Sequence, residues 1–420
     1  MTNGMDASTA RLATLLMVST ALVALLTSQP GLDYFADCGA VDALVRRDLG
    51  SFFAQQPLMG PVSVVLRAVF VAPVFHASIT TVYLVGVIPC YGALLALAFV
   101  LRRQMVDRPA AERRLVVLLC AGSPLVVKAY HWGHPEELLA TAFCIGAMLA
   151  AGRDRARTAG VLFGLAVATK QWAVLAGAPI LLTLPSRRVA FLLTGGAVVA
   201  ALLVPMLLGD PDRFWLVQRA AGSADPSKVL GNTGAPDTRV LPHSLWLPFT
   251  EPVTWDHRSY RISGSPLAFR AHFLILLCGM APLLLLWSRR RSHVTLATGL
   301  RLLALLLLAR CVLDPNDLDY YHVPLVAALA ALGAVSGPRE LRVALLATAA
   351  LGVAFVLPAD SLSAQAQHGA VKWLLYMLAV VPLGAWLSRD LVRALGPARA
   401  SVVSPGEMLI AAGSHADTSA

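Results

Sequence analysis

Apolar runs of the length that crosses about 30 Å of hydrocarbon recur along this chain, and the loops between them alternate in charge. That pairing constrains the fold more than any single motif. Arginines gather at 102, 103, 108, 113 and 114, at 153, 155 and 157, at 187 and 188, and at 289–291. Acids gather in the intervening loops: Asp33, Asp37, Asp42 and Asp48, then Glu136 and Glu137, then Asp210 to Asp256, then Asp314, Asp317 and Asp319. By the positive-inside rule the arginine loops are cytoplasmic and the acidic loops lie outside, with the amino terminus inside. The net charge of +10 is thereby a topology signal and not a nucleic-acid footprint. With 57% hydrophobic and 14% charged residues, the chain is read as an all-α, polytopic integral membrane protein.

Spans are expected near 12–29, 78–101, 114–130, 137–152, 188–208, 270–288, 294–312, 322–337, 342–358 and 370–388. Residues 12–28 end at Gln29-Pro30 without a small-residue cleavage pattern and read as a retained first span. Residues 159–184 carry basic loops at both ends, so they must go out and return within a length too short for two full spans. A hairpin of two short helices with Lys170 near its apex fits, giving about 12 membrane segments. Residues 30–77 form a large outer loop with two helices, roughly 38–48 and 60–72, read as interfacial. Residues 209–269, rich in Gly, Pro, Asp and Trp, form the other large outer loop. Residues 1–393 are thus one transmembrane domain, and 394–420 are a disordered cytoplasmic tail. There is no internal repeat, phosphate-cradling Gly-Lys-Ser/Thr loop or dinucleotide fingerprint. Cys and His spacing matches no zinc pattern, so neither metal nor cofactor is expected.

Ionisable residues at the rim of a hydrocarbon slab mark sites or pathways. His131-Trp132-Gly133-His134-Pro135-Glu136-Glu137 places two histidines and two acids between two spans. Pro at a first helical position followed by acids is also an ordinary helix start, but that account leaves His131 and His134 unexplained. Arg310 to His322 is the second cluster, with Asp314 read as a cap ahead of Pro315, and with Tyr320, Tyr321 and His322 beside Arg310. Lys170, inside an apolar stretch, needs a counter-charge or an aqueous cavity; the plain alternative is snorkelling. Asp37 precedes an expected helix at Val41, where a carboxylate serves either as an N-cap or as a general base, with Asp33 and Asp42 as competitors. Arg67 interrupts the apolar face of the second loop helix, and Lys128 and Arg301 are further candidate charges.

The acid in the first outer loop, the His-Pro-Glu-Glu loop, Gly164-Leu165-Ala166-Val167-Ala168-Thr169-Lys170-Gln171-Trp172 and Leu313-Asp314-Pro315…Tyr320-Tyr321 together resemble the integral-membrane GT-C glycosyltransferases. Among these the chain looks most like the actinobacterial glycosyltransferase 87 type, over about residues 12–390. The resemblance implies a GT-C-like bundle that transfers a sugar, mannose in the named type, from a polyprenyl-phosphate donor to a glycan or glycolipid hydroxyl, with inversion. It implies a first-loop aspartate as catalytic base, for which Asp37 is the best positional match with Asp33 and Asp42 open; the residues themselves add Glu136 and His134 as catalytic candidates, and Lys170, Arg310, His131, Asp314, Tyr320, Tyr321 and His322 as candidates for contacting substrate. Two departures stand: Val41 in place of an aromatic about four residues after the base, and Gln55-Gln56-Pro57 in place of Tyr-Pro-Pro. The alternative class is a lipid or solute transporter or flippase, against which stand the absence of a repeat and the gathering of charge on one side.

Overall fold

The computed structural model describes residues 15, 19, 32–56, 60–221, 223, 239–255, 258–284, 293–356 and 364–395. Helices dominate, as the apolar runs require. The first described helix, α1 (Leu32–Val45), is followed by α2 (Leu49–Ala54) and α3 (Pro61–Val71). Then come α4 (Ile79–Arg103), α5 (Ala110–Ala121), α6 (Pro124–Trp132), α7 (Pro135–Ala151) and α8 (Ala156–Val167). A 3₁₀ turn at Gln171–Ala176 leads into α9 (Gly177–Thr183) and α10 (Arg188–Gly209). The loop beyond it holds α11 (Pro211–Ala221), an antiparallel hairpin of β1 (Glu251–Trp255) and β2 (Arg258–Ile262), and the short α12 (Pro266–Phe269). The bundle finishes with α13 (Ala271–Met280), α14 (Leu296–Leu313), α15 (Val323–Ser336), α16 (Pro338–Val356) and α17 (Ala364–Leu395).

Among the described residues five helices are long and apolar enough to cross a membrane: Ile79–Arg103, Ala110–Trp132, Arg188–Gly209, Leu296–Leu313 and Gly369–Ala394. The second is α5 and α6 joined across Gly122-Ser123. Leu192, Leu193, Leu208, Leu374 and Leu378 stay exposed, the outward dress of an integral membrane protein. Inside, α4 to α9 and α14 to α17 share one core, with α15 buried along nearly its whole length. A smaller core joins Val41 of α1, Phe52 of α2, Val64 and Ala68 of α3, Met206 of α10 and Phe214 of α11. Residues 159–184 form the expected broken hairpin, tolerable at membrane depth because the bundle covers them.

Close backbone approach holds this hairpin. A Cβ on Gly160 would stand 2.7 Å from the Phe191 carbonyl oxygen, and one on Gly164 would stand 2.8 Å from the Gly195 carbonyl oxygen. Two glycines one turn apart therefore let α8 lie directly on α10, the small-residue packing by which helices associate without a hydrophobic driving force.

Several expectations are corrected here. The helix expected from residue 38 begins at Leu32, so Asp37 lies within α1 and does not cap its start. Asp42 sits on the exposed side of the same helix, paired with Arg46 at 2.8 Å. Arg67 is only 2% exposed, turned toward Tyr83 and Gly86 of α4, while Val65, Val69 and Phe70 face out; the apolar face looks outward and the arginine inward. Asp314 caps the end of α14 and starts no helix; the chain turns at Pro315-Asn316 and reaches a 3₁₀ turn at Asp319–His322. Apart from residues 15 and 19, the expected first span, 12–29, lies outside the described residues, as does the tail beyond Leu395.

Candidate active site

Two sharp turns bring the polar residues together. Helix α6 ends at Gly133, whose φ of 85° is one that L side chains resist. The backbone of His134 then bonds back to Ala129, and Pro135 restarts the chain as α7. Glu136 and Glu137 thus occupy the first turn of α7, where the helix dipole favours anions, yet both are fully buried. At the second turn, the Lys170 backbone leaves α8 extended, with φ −148° and ψ 129°, and aims the side chain back across the bundle.

Each glutamate has its own cation. Lys170 Nζ lies 3.1 Å from Glu136 Oε1, the same oxygen that His134 Nδ1 approaches at 2.7 Å. Arg310 donates to Glu137 Oε1 at 2.9 Å, while the Trp172 indole donates to Glu137 Oε2 at 2.6 Å. The Arg310 guanidinium carbon stands 4.9 Å from the Trp172 ring centre and 4.5 Å from that of Tyr321, and its other terminal nitrogen bonds the Tyr321 carbonyl at 3.3 Å. His134 stacks on Tyr320 with ring centres 4.3 Å apart. Four segments distant in sequence therefore meet: 134–137, 170–172, 310 and 320–321.

The two ion pairs differ in access. The Lys170 side chain is 18% exposed and Arg310 only 8%. An ammonium has three donors, of which Glu136 uses one. Lys170 thus has spare donors and an opening to reach a ligand; Arg310 is clamped between rings and acts as a buried strut.

Around this core the other predicted residues separate. His131 is exposed at the lip, beside Trp132. Asp319 lies 3.8 Å from Lys128 and accepts from the Tyr320 backbone; burial holds its carboxyl above the usual range, and Lys128 opposes that. Asp314 meets His272 of α13 at 3.1 Å and takes the Asn316 backbone N–H, tying down the loop. His322 is fully buried in a different cluster with Asp317, Tyr376 and Phe355. Arg301 bridges Glu340 and Asp390 inside the bundle. Sequence reasoning missed the structural weight of Trp172 and Tyr376; an indole two residues after a buried lysine was the available signal for the first.

The amino end of α3 abuts the Lys170 turn. Gly60 N–H donates to the Thr169 carbonyl at 3.0 Å, and a Cβ on Gly60 would fall 1.9 Å from the Ala168 oxygen. Beside this contact opens a cleft with Gln56, Gln171 and Gln218 on its polar wall and Leu203, Met206 and Phe214 on its apolar one. The Cys38 side chain of α1 packs against the main core, which carries this first loop onto the bundle.

The family model for glycosyltransferase family 87 matches residues 58–315, from just before α3 through Asp314. That interval holds His131, His134, Glu136, Glu137, Lys170, Arg310 and Asp314, and leaves Asp37 and Tyr320 to His322 outside. The crystal structure of ArnT from Cupriavidus metallidurans bound to undecaprenyl phosphate is similar at a TM-score of 0.48 and 16% identity, over 91% of this chain and 73% of that one. The archaeal oligosaccharyltransferase AglB from Archaeoglobus fulgidus, in complex with an inhibitory peptide and a dolichol-phosphate, gives 0.40 and 14%, over 92% and 56%. No curated protein matches the sequence significantly. With the match to its model spanning more than half of the sequence, the chain belongs to glycosyltransferase family 87.

Proposed function

We propose that this membrane glycosyltransferase takes its sugar, mannose by resemblance to the named family type, from a polyprenyl-phosphate donor and passes it to an acceptor hydroxyl outside the plasma membrane. The observation that carries this reading is Lys170: a lysine held by Glu136, with donors to spare, partly open, at the end of a broken membrane hairpin. Attack on an anomeric carbon builds oxocarbenium character and expels a phosphate, so a fixed ammonium at the leaving oxygens stabilises the charge that develops. Glu136 keeps the ammonium charged and aimed, and His134 shares that carboxylate beside the ligand. Arg310, Glu137 and Trp172 brace the Lys170 segment from behind.

Asp37 is the proposed base, removing the acceptor proton on the face opposite the phosphate. The test is purified protein in nanodiscs with labelled polyprenyl-phosphate sugars and a membrane extract as acceptor source. Wild type is expected to release polyprenyl phosphate, and Asp37→Asn to insert normally but release none. Full activity in Asp37→Asn moves the base to Asp33, Asp42 or Glu136. Donor binding without release from any donor turns the reading toward a flippase.

A further inference from the structure

Away from Lys170, the turn after α14 closes on a second polar cluster that the proposed transfer does not use. Cys311, Asp317 and His322 each offer a ligand atom, and the three atoms lie within 4.8 Å of one another. All three side chains are fully buried. The Tyr376 hydroxyl lies beside the Asp317 carboxylate, but neither carboxylate oxygen has a hydrogen bond of normal geometry, and His322 Nε2 lies 3.5 Å from one of them. A buried carboxylate left in this state is costly, and orphaned buried acceptors of this kind point to an ion.

We infer that Cys311, Asp317 and His322 form a binding site for a divalent transition cation, with Zn²⁺ the best match to the donors. A thiolate, an imidazole and a carboxylate are the ligand types Zn²⁺ takes, and two bonds of roughly 2.0–2.2 Å at the tetrahedral angle end about 3.4 Å apart. The 3.5 Å between His322 and Asp317 has that spacing. The Tyr376 hydroxyl stands 3.0 Å from His322 Nε2 and is available as a further oxygen donor. Thiolate and carboxylate together cancel the charge of a divalent ion, so the loaded site is neutral in its apolar surroundings. Loading releases the thiol proton and any carboxyl proton. The residues are separated by six and five positions, wider than the close ligand pairs of zinc motifs, which is why the sequence alone does not announce them. The ion would fasten the end of α14 to the start of α15, and with them the turn whose Tyr321 carbonyl receives both Arg310 and Cys311.

Full-length protein from zinc-replete cells, purified without chelator, is assayed for bound metal by mass spectrometry. After chelation the same protein is titrated with Co²⁺. About one Zn²⁺ per chain and a thiolate-to-Co²⁺ charge-transfer band are expected. The band should vanish in Cys311→Ser, Co²⁺ affinity should fall at least about tenfold in Asp317→Asn, and the exposed-cysteine control Cys278→Ser should match wild type. Should the Cys311 variant fail to fold, wild type decides alone, because chelation is expected to lower its Tm and Zn²⁺ to restore it. Metal-free wild type with no thiolate band, or a band that survives Cys311→Ser, overturns the assignment.

Discussion

At the scale of single residues, the two glutamates after Pro135 are unequal partners of two unequal cations. Removing Glu137 leaves the Arg310 guanidinium buried without its counter-charge, and breaking such a pair costs roughly 3–5 kcal/mol. Glu137→Ala should therefore fail at the level of folding, seen as a large drop in Tm in detergent. Trp172→Phe keeps the ring over Arg310 but loses one hydrogen bond to a carboxylate, about 1.5–3 kcal/mol, and should lower Tm while leaving donor affinity close to wild type. Lys170→Gln should weaken donor binding, with some loss of Tm because buried Glu136 loses its counter-charge, and an unaltered donor affinity in that variant removes the phosphate role. The sequence made these residues visible because an ion in an apolar run must have a reason. It left their pairing hidden, because 137 and 310 are brought together by helix packing and by no local spacing. Asp314 shows the opposite failure: an Asp-Pro pair looks like a helix start, but here α14 stops and the aspartate serves the loop.

At the scale of elements, the interior glycines set how closely helices approach. Gly164→Ala puts a Cβ into the Gly195 carbonyl and Val198, so α8 must move off α10 at a cost of about 1–3 kcal/mol. Gly60→Ala meets a backbone oxygen, which cannot swing aside as a side chain would. The expected outcome is a displaced Lys170 turn: transfer reduced more than stability, measured as initial rate against Tm. The broken hairpin at 159–184 was legible from its basic flanks and its length, a purely geometric argument. The first loop was less so. Its second helix was placed well, while the start of α1 was set six residues late, because Asp37 offers a plausible cap where the chain is already helical.

At the scale of the whole molecule, charge alternation assigns each loop a side, and single cysteines test it. Glu251→Cys, on the exposed hairpin, should react with an impermeant maleimide added outside intact cells, and Arg153→Cys, in a basic loop, only after permeabilisation. Labelling of both, or neither, from outside contradicts the orientation. The membrane class was legible in composition and spacing; the joint between α5 and α6 was not, since one apolar run covers a break at Gly122-Ser123. Helix α15 closes the account. It has 14 residues, about 21 Å of rise, against a hydrocarbon thickness of about 30 Å. A central helix that short is expected to thin the bilayer around it and so to set the polar cluster of Tyr320 and His134 below the level of the surrounding headgroups. Turnover should then track the acyl-chain length of the host bilayer, slowing as thicker lipids lift a carrier's phosphate away from the recessed lysine.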